Sequence, residues 1–581
     1  MNHQNNFAII SFIWQVADDI LRDVYVKGKY RDVILPMTVI TRIDSELEET
    51  KEKTLKEYER LKDKISNIEP VLQKSTGYHF YNISEFTLKT LLKDPENIKA
   101  NFKQYLHGFS ANIQDILQKF KFENQIQTLE EADILFALIQ KFSDASEKLS
   151  PKVLNNHDMG YVFEDLIRRF NEENNEEAGE HFTPREVIKL MTNILFLPVA
   201  NKIKDKPLTI YDPCVGSGGM LSIAKEFIES EESGIHSTGE IFTFGQEINP
   251  ETYALCKADM LLKGDSNNKV AFGSTLSADG FQTEKFDFIL TNPPYGKSWK
   301  TDEARLATGG KKKEILDSRF KVGTPRINDG QLLFMLHMLS KMKHDTSLGT
   351  RIASVHNGSA LFTGDAGQGE SEIRKHIIEN DYLEAIIALP QDMFYNTGIG
   401  TYIWVLTNRK PEHRKGKVQL VNATSEDFYS PMGKSLGKKR RELLPQHIHK
   451  IYEIFHNFKE EKHSKILDNE DFGYTQITVE RPKRDEFGKT IMKKGIPVPD
   501  NNLKDKENIP LKEDIQEYFK REVLPFAPDA WISDKEQKVG YEINFNKYFY
   551  EYIPPRSLED IRKDILKLEE ESEDVLQEII S

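Results

Sequence analysis

Cysteine is nearly absent from this sequence: Cys214 and Cys256 are the two in 581 residues. That excludes a disulfide framework and a Cys-rich zinc site, and no metal is expected. Long apolar runs are also missing, and none approaches the length needed to span a membrane. The opening Met1-Asn2-His3-Gln4-Asn5-Asn6 lacks the charged start of a signal peptide, so a cytoplasmic protein with no membrane partner is expected. A Gly-x4-Gly-Lys-Ser/Thr phosphate loop does not occur; at Gly296-Lys297-Ser298 the first Gly position holds Thr291. Positive charge is not in excess either. A net charge of −14 argues against a nonspecific DNA binder, while leaving room for a local basic groove or a partner that supplies the phosphate contacts.

What is present describes a soluble chain, 30% charged and 38% hydrophobic, too long for one core. Residues 1–150 read as a helical domain: Phe7, Ile10, Phe12, Ile13, Val16, Ile20 and Leu21 recur at helical spacing. Ile34-Leu35-Pro36 marks a break, and Asp44 to Lys64 reads as a solvated helix face. No catalytic constellation is visible there, and packing or docking is the expected role.

From 151 to about 480 strands and helices alternate, the pattern of an α/β domain. Thr183 before Pro184 fits an N-cap with proline at the first helical position, opening a helix through Leu195. A strand at Leu208–Tyr211 runs into Asp212-Pro213-Cys214-Val215-Gly216-Ser217-Gly218-Gly219 and then a helix from Met220. A glycine turn between strand and helix lets a ligand approach the backbone, and the helix start adds N–H donors. The second strand, Ile241–Gly245, ends in Gln246-Glu247, where a carboxylate can take both hydroxyls of a ribose. Further strands are expected at Lys269–Phe272 and Phe286–Thr291.

The fourth strand stops at Asn292-Pro293-Pro294-Tyr295. Two prolines force a rigid, extended exit from the sheet. The Asn side chain and the next carbonyl then offer two acceptors to one exocyclic amino group, and the aromatic can stack on a planar ring. Alone, the tetrapeptide also fits a strand-ending turn with a core tyrosine. Gly296 to Asn328 is polar, with Lys311-Lys312-Lys313, and reads as a loop near substrate. Strands follow at Arg351–Val355, Leu383–Leu389 and, last, Thr401–Thr407. Between the last two, Phe394 and Tyr395 fit either a second stacking platform or core plugs. Lys438 to Arg441 is the densest basic cluster. Residues 481–581 form a C-terminal region, polar to about 540. It ends in a near-heptad seam, Leu558, Ile561, Ile565, Leu568, Val575 and Ile579, that suits either a partner helix or this chain's own core.

Taken in order, Asp-Pro-x-x-Gly-Ser-Gly, Glu247 and Asn-Pro-Pro-Tyr resemble the adenine-N6 DNA methyltransferases that use S-adenosylmethionine. The Gly179-to-Pro184 lead-in, the Phe394-to-Ile399 loop, Trp14-Gln15-Val16-Ala17-Asp18 and the Gly540-to-Phe549 tail narrow the resemblance. It points to the modification subunit of type I restriction-modification systems, over the whole chain. The resemblance implies a Rossmann-like S-adenosylmethionine-dependent methyltransferase core over 151–480, with an N-terminal helical domain and a C-terminal helical tail. Asp212, Val215, Gly216, Ser217 and Gly218 would hold the cofactor, and Glu247 its ribose. Glu180, His181, Phe182, Thr183, Pro184 and Arg185 would close over its methionine end. Ser274 stands where relatives often carry Asp or Asn against the cofactor's adenine. Asn292 and the Pro293 carbonyl, stiffened by Pro294, would grip the adenine amino group, with Tyr295 on one face of the base and Phe394 on the other. The implied partners are double-stranded DNA, a specificity subunit bound by two copies of this chain, and a restriction subunit in the full complex. An RNA or protein-glutamine methyltransferase, or a catalytically silent scaffold, would share parts of the pattern.

Overall fold

A computed structural model describes residues 3–173, 183–264, 267–308, 314–395, 397–534, 537–550 and 557–580. Glu180, His181, Phe182 and Lys311 to Lys313 lie outside these. The chain divides into two compact units, Met1–Ile543 and Asn544–Ser581.

The first 150 residues are helical, as the periodicity implies, with two corrections. Pro36 does not break its helix, which runs Arg31–Leu47 straight through it. Pro36 gives up one backbone bond inside the helix, and the surrounding Val33, Ile34, Leu35, Met37 and Ile40, wholly or almost wholly buried, hold the helix together by packing. The Asp44 to Lys64 stretch is not solvated throughout either. Asp44 accepts hydrogen bonds from the Tyr105 hydroxyl (2.7 Å) and the Leu88 N–H (3.2 Å), and burial pushes its carboxyl upward. Glu46 pairs at 2.9 Å with Arg42, whose guanidinium also donates to the Leu149 and Leu154 carbonyls. Buried charge is tolerable only when paired in this way.

This helical core is continuous with Ala254, Leu255, Ala258 and Leu262 on the helix Pro250–Leu262. The N-terminal domain is therefore packed on the α/β domain. Arg31–Glu251 (3.1 Å) and Lys257–Asp115 (3.3 Å) flank the contact.

The α/β domain is built on nine strands: β1 (Leu208–Asp212), β2 (Ile241–Glu247), β3 (Asn268–Phe272), β4 (Phe288–Thr291), β5 (Arg351–Asn357), β6 (Leu383–Ala388), β7 (Thr401–Thr407), β8 (Lys417–Asn422) and β9 (Ser464–Asp468). Their order is 9-8-6-7-5-4-1-2-3. β1 pairs in parallel with both β2 and β4, and β7 runs antiparallel between β5 and β6. The chain leaves β1 toward β2 and β3, then returns to β1's other side as β4. That makes the β1/β4 edge the switch point, where open α/β sheets take their ligands.

β7 is not the last strand of this sheet; β8 and β9 extend it. Beyond it, Gly473–Glu480 is the centre of a separate antiparallel sheet with Asp505–Pro510, Trp531–Ile532 and Lys538–Tyr541. Its core is small: Ile477, Val479, Ile509, Phe519 and Val523. Strands with so few inward apolar residues have little periodic signal, which is why this region reads only as polar in sequence. The second unit contains the helix Leu558–Ile580, with Leu558, Ile561, Ile565 and Leu568 exposed.

Candidate active site

β1 and β4 end side by side, and their tips are tied together. Asp212, 1% exposed, accepts through Oδ1 from the Thr291 hydroxyl (2.7 Å) and the Cys214 N–H (2.9 Å). Burial pushes its carboxyl up to about 7, against the lowering effect of those bonds. Burial likewise pushes the Cys214 thiol well up, so it stays protonated and is no nucleophile.

The glycine turn follows directly. Gly216 takes φ +56°, a conformation side chains resist, and its N–H donates to Glu247 Oε2 at 3.0 Å. Glu247 Oε1 accepts from the Asn249 N–H at 2.7 Å, which orients the carboxylate at the β2 tip. Behind it, Gly245 is required by close approach: a Cβ there would sit 2.7 Å from Val215. Gln246, fully buried, holds the loop after β3 by donating to Gly273 and Ala278 carbonyls and accepting from the Gly280 N–H.

Two adjoining cavities open here. The larger, about 350 Å³, is lined by Gly216, Glu247, Ile248, Ser274, Asn292 and Phe334 among others. The smaller, about 60 Å³, is lined by Glu164, Thr183, Asp212, Val215, Ser217 and, again, Gly216 and Asn292. Asn292, 8% exposed, faces both.

Ser274 is placed at the larger cavity and held there: its hydroxyl donates to Asp302 at 2.6 Å and accepts from the Leu276 N–H. Pro294 lines the same cavity. Pro184, Arg185, Gly218, Pro293, Tyr295 and Phe394 line neither cavity. Thr183 is not the helix cap. The helix runs Arg185–Phe196 with Pro184 at the capping position, and Pro184's carbonyl accepts from the Val187 N–H. Arg185 is engaged by Glu164 through Nε (2.9 Å) and Nη2 (3.0 Å) and lies 3.3 Å over the Tyr161 ring, so it ties the start of its helix to the helix that carries Tyr161 and Glu164. Tyr295 is 5% exposed, and burial pushes its phenol well upward.

Phe394, expected on the second face of the base, is buried in this structure. It is 1% exposed and packs in the core beneath the sheet with Met393, Val421 and Phe428. The basic cluster is also partly consumed: Lys439 is 2% exposed and pairs with Glu186.

Several site residues carry no motif and were missed. Asp302, expected to lie in an irregular loop, sits on a short helix, Lys300–Leu306. Phe334 comes from the helix Gln331–Ser340. Asp329 accepts the Gly296 N–H at 3.0 Å, the residue after Tyr295. Asp329 is gripped in turn by Gln331 Nε2 (2.8 Å), which also donates to Asn357 (2.8 Å) and Ser359 (2.9 Å). Its signal is a polar run entering an apolar helix, which marks a cap rather than a site.

Comparison with known proteins agrees with this geometry. Residues 154–484 match the family described as N-6 DNA Methylase, and residues 9–142 match the HsdM N-terminal domain. The chain is 26% identical over 483 residues to the type I restriction enzyme MjaIX methylase subunit of Methanocaldococcus jannaschii, covering 77% of this chain and 76% of that one. It is 29% identical over 304 residues to the HindI methylase subunit of Haemophilus influenzae, covering 51% of this chain and 60% of the relative. Its fold resembles the methyltransferase subunit of a type I restriction-modification system from Streptococcus thermophilus, with a TM-score of 0.61 and 23% identity over 80% of this chain and 97% of that one. With more than half of its residues inside the match, the chain belongs to the N-6 DNA methylase family and carries an HsdM N-terminal domain.

Proposed function

We propose that this chain methylates the N6 amino group of adenine in double-stranded DNA, as the modification subunit of a type I restriction-modification complex. The observation that carries the reading is Asn292 on the wall of both cavities, one residue beyond the Thr291–Asp212 tie.

The cavities fit S-adenosylmethionine. Glu247 stands at the β2 tip with its carboxylate already oriented, where a ribose diol would bind, and Phe334 and Ile248 give the larger cavity apolar wall for a purine. Glu164, Thr183 and Asp212 give the smaller cavity polar walls, which suit the ammonium and carboxylate of the methionine end. When bound, the cofactor supplies an electrophilic methyl group on a sulfonium.

The chain's own residues do the rest. The adenine amino lone pair is delocalised into the ring and is a poor nucleophile. Asn292 Oδ1 and the Pro293 carbonyl accept its two N–H groups, favouring pyramidal nitrogen and the positive charge that develops there. The two prolines fix these acceptors, so little reorganisation accompanies reaction. The target atom is inaccessible in a duplex, so the base must flip out. Tyr295 stacks on it, and base entry has to uncover that ring.

Division of labour follows the proposed boundaries near residues 150 and 480. The helical domain and the helix Leu558–Ile580 serve assembly, the latter by docking its exposed apolar face on a specificity subunit, two copies of this chain to one. A restriction subunit completes the full complex, and the setting is cytoplasmic. Tritiated methyl transfer to DNA, with and without the specificity subunit, tests the reading. Label entering RNA or a protein glutamine instead, or no label at all, overturns it.

A further inference from the structure

The opposite end of the sheet holds a third cavity, unrelated to those two, of about 610 Å³. Arg351, the first residue of β5, contributes to it. In the β4–β5 register Arg351 lies level with Phe288, whereas Ser354 lies level with Thr291. Three residues of strand, about 10 Å, therefore separate it from the catalytic end.

Its charge is unbalanced. Six Lys and Arg side chains line the cavity against two carboxylates, in a chain whose net charge is −14. Three of the cations are buried. Lys410 is matched, donating to Asp381 at 2.6 Å. Arg351 and Arg414, 3% and 4% exposed, share one carboxylate: Glu384 lies 2.8 Å from Arg351 Nη2 and 3.6 Å from Arg414 Nε. Arg351 Nε is buried with no hydrogen-bond partner. Two buried guanidiniums on one carboxylate leave a positive charge unanswered, which is costly unless an anion in the cavity balances it. Tyr382, Phe455 and His456 add flat walls. The volume lies within the range of small-molecule sites, about 300–1,000 Å³.

We infer that this cavity binds a small phosphate-bearing anion of up to nucleotide size, with Arg351 and Arg414 as its buried anchors and Lys202 and Lys415 at its exposed mouth. Planar, always-charged guanidinium pairs suit phosphate oxygens better than single ammonium groups do. The site is independent of the methyl-transfer reading and would stand without it.

The test is calorimetric titration of pyrophosphate into the full chain at constant ionic strength. Saturable binding is expected, weakened at least about tenfold (1.4 kcal/mol) in K202E/K415E, whose exposed ammonium groups hold no backbone in place and leave the fold and methyl transfer unchanged. Arg351→Lys, which keeps the charge and loses the fork, should weaken it as well; if that variant fails to fold, the mouth variant alone decides. AMP that displaces pyrophosphate at lower concentration identifies a nucleotide as the ligand, and AMP that is no stronger identifies the free anion. Heats that never saturate, or equal affinity in K202E/K415E, overturn the site. So does displacement by a short DNA duplex but not by AMP, which would make this face a nucleic-acid contact instead.

Discussion

The Thr291 hydroxyl donates to Asp212 Oδ1 at 2.7 Å, locking the tips of β4 and β1 together one residue before Asn292. The glycine turn and the Asn-Pro-Pro-Tyr turn thus hang from one buried hydrogen bond, and the state of that carboxyl matters to both.

Asp212 should impose a pH slope on stability. Its folded value, about 7, is raised above the ordinary 3.8, so the folded chain holds a proton that the unfolded chain releases. The contribution is full below about 4 and is lost as pH rises through about 7, with an upper bound on the order of 4 kcal/mol. His356 works the other way in an overlapping window: burial lowers it to about 3, so its contribution is present above 6.5 and falls with pH. Asp212→Asn isolates the first, because both bonds fall on Oδ1 and an amide oxygen accepts them equally. In urea melts the variant should gain on wild type between pH 5 and pH 8; parallel curves would remove Asp212 from the account.

Asn292→Ala or Tyr295→Ala should abolish methyl transfer while cofactor affinity measured by calorimetry stays near normal. The acceptor pair and the ring serve the base. Loss of both properties together would assign the turn a structural role only.

Glu247→Ala should weaken S-adenosylmethionine binding by roughly 1.5–3 kcal/mol, the range for hydrogen bonds to a charged group. Ser274→Ala should cost far less, since its hydroxyl is already spent on Asp302. Equal dissociation constants for wild type and Glu247→Ala would place the ribose elsewhere.

Asp329→Ala should act on rate rather than on cofactor affinity. It leaves the Gly296 N–H without its acceptor and loosens the turn that aims Asn292. Small misplacements of this kind cost about 100-fold in rate. Single-turnover transfer should fall while the cofactor dissociation constant holds; a parallel fall in both would show that Asp329 supports the whole cleft.

A chain ending at residue 550 should still bind cofactor but neither co-purify with a specificity subunit nor methylate DNA. Isolated amphipathic helices are marginal in water without a surface to pack on. Normal assembly by the shortened chain would rule out docking through Leu558–Ile580.

Short-range chemistry was legible in the sequence by itself. Apolar runs marked the strands, and proline and glycine marked where they stop. Asp212, Gly216, Glu247 and Asn292 stood at strand ends because backbone geometry confines such residues there. Which strand ends meet was decided only by tertiary structure. The return of the chain to β1's other side brings Asn292 to the glycine turn, across about 80 residues of sequence that no periodicity encodes. Packing also buried Phe394 in the hydrophobic core, which its sequence neighbours do not foretell. The supporting residues, Asp302, Asp329 and Gln331, were invisible for the same reason. Their hydrogen-bond partners lie tens of residues away or in loops, and a side chain's role in such a network exists only once the fold has closed around it.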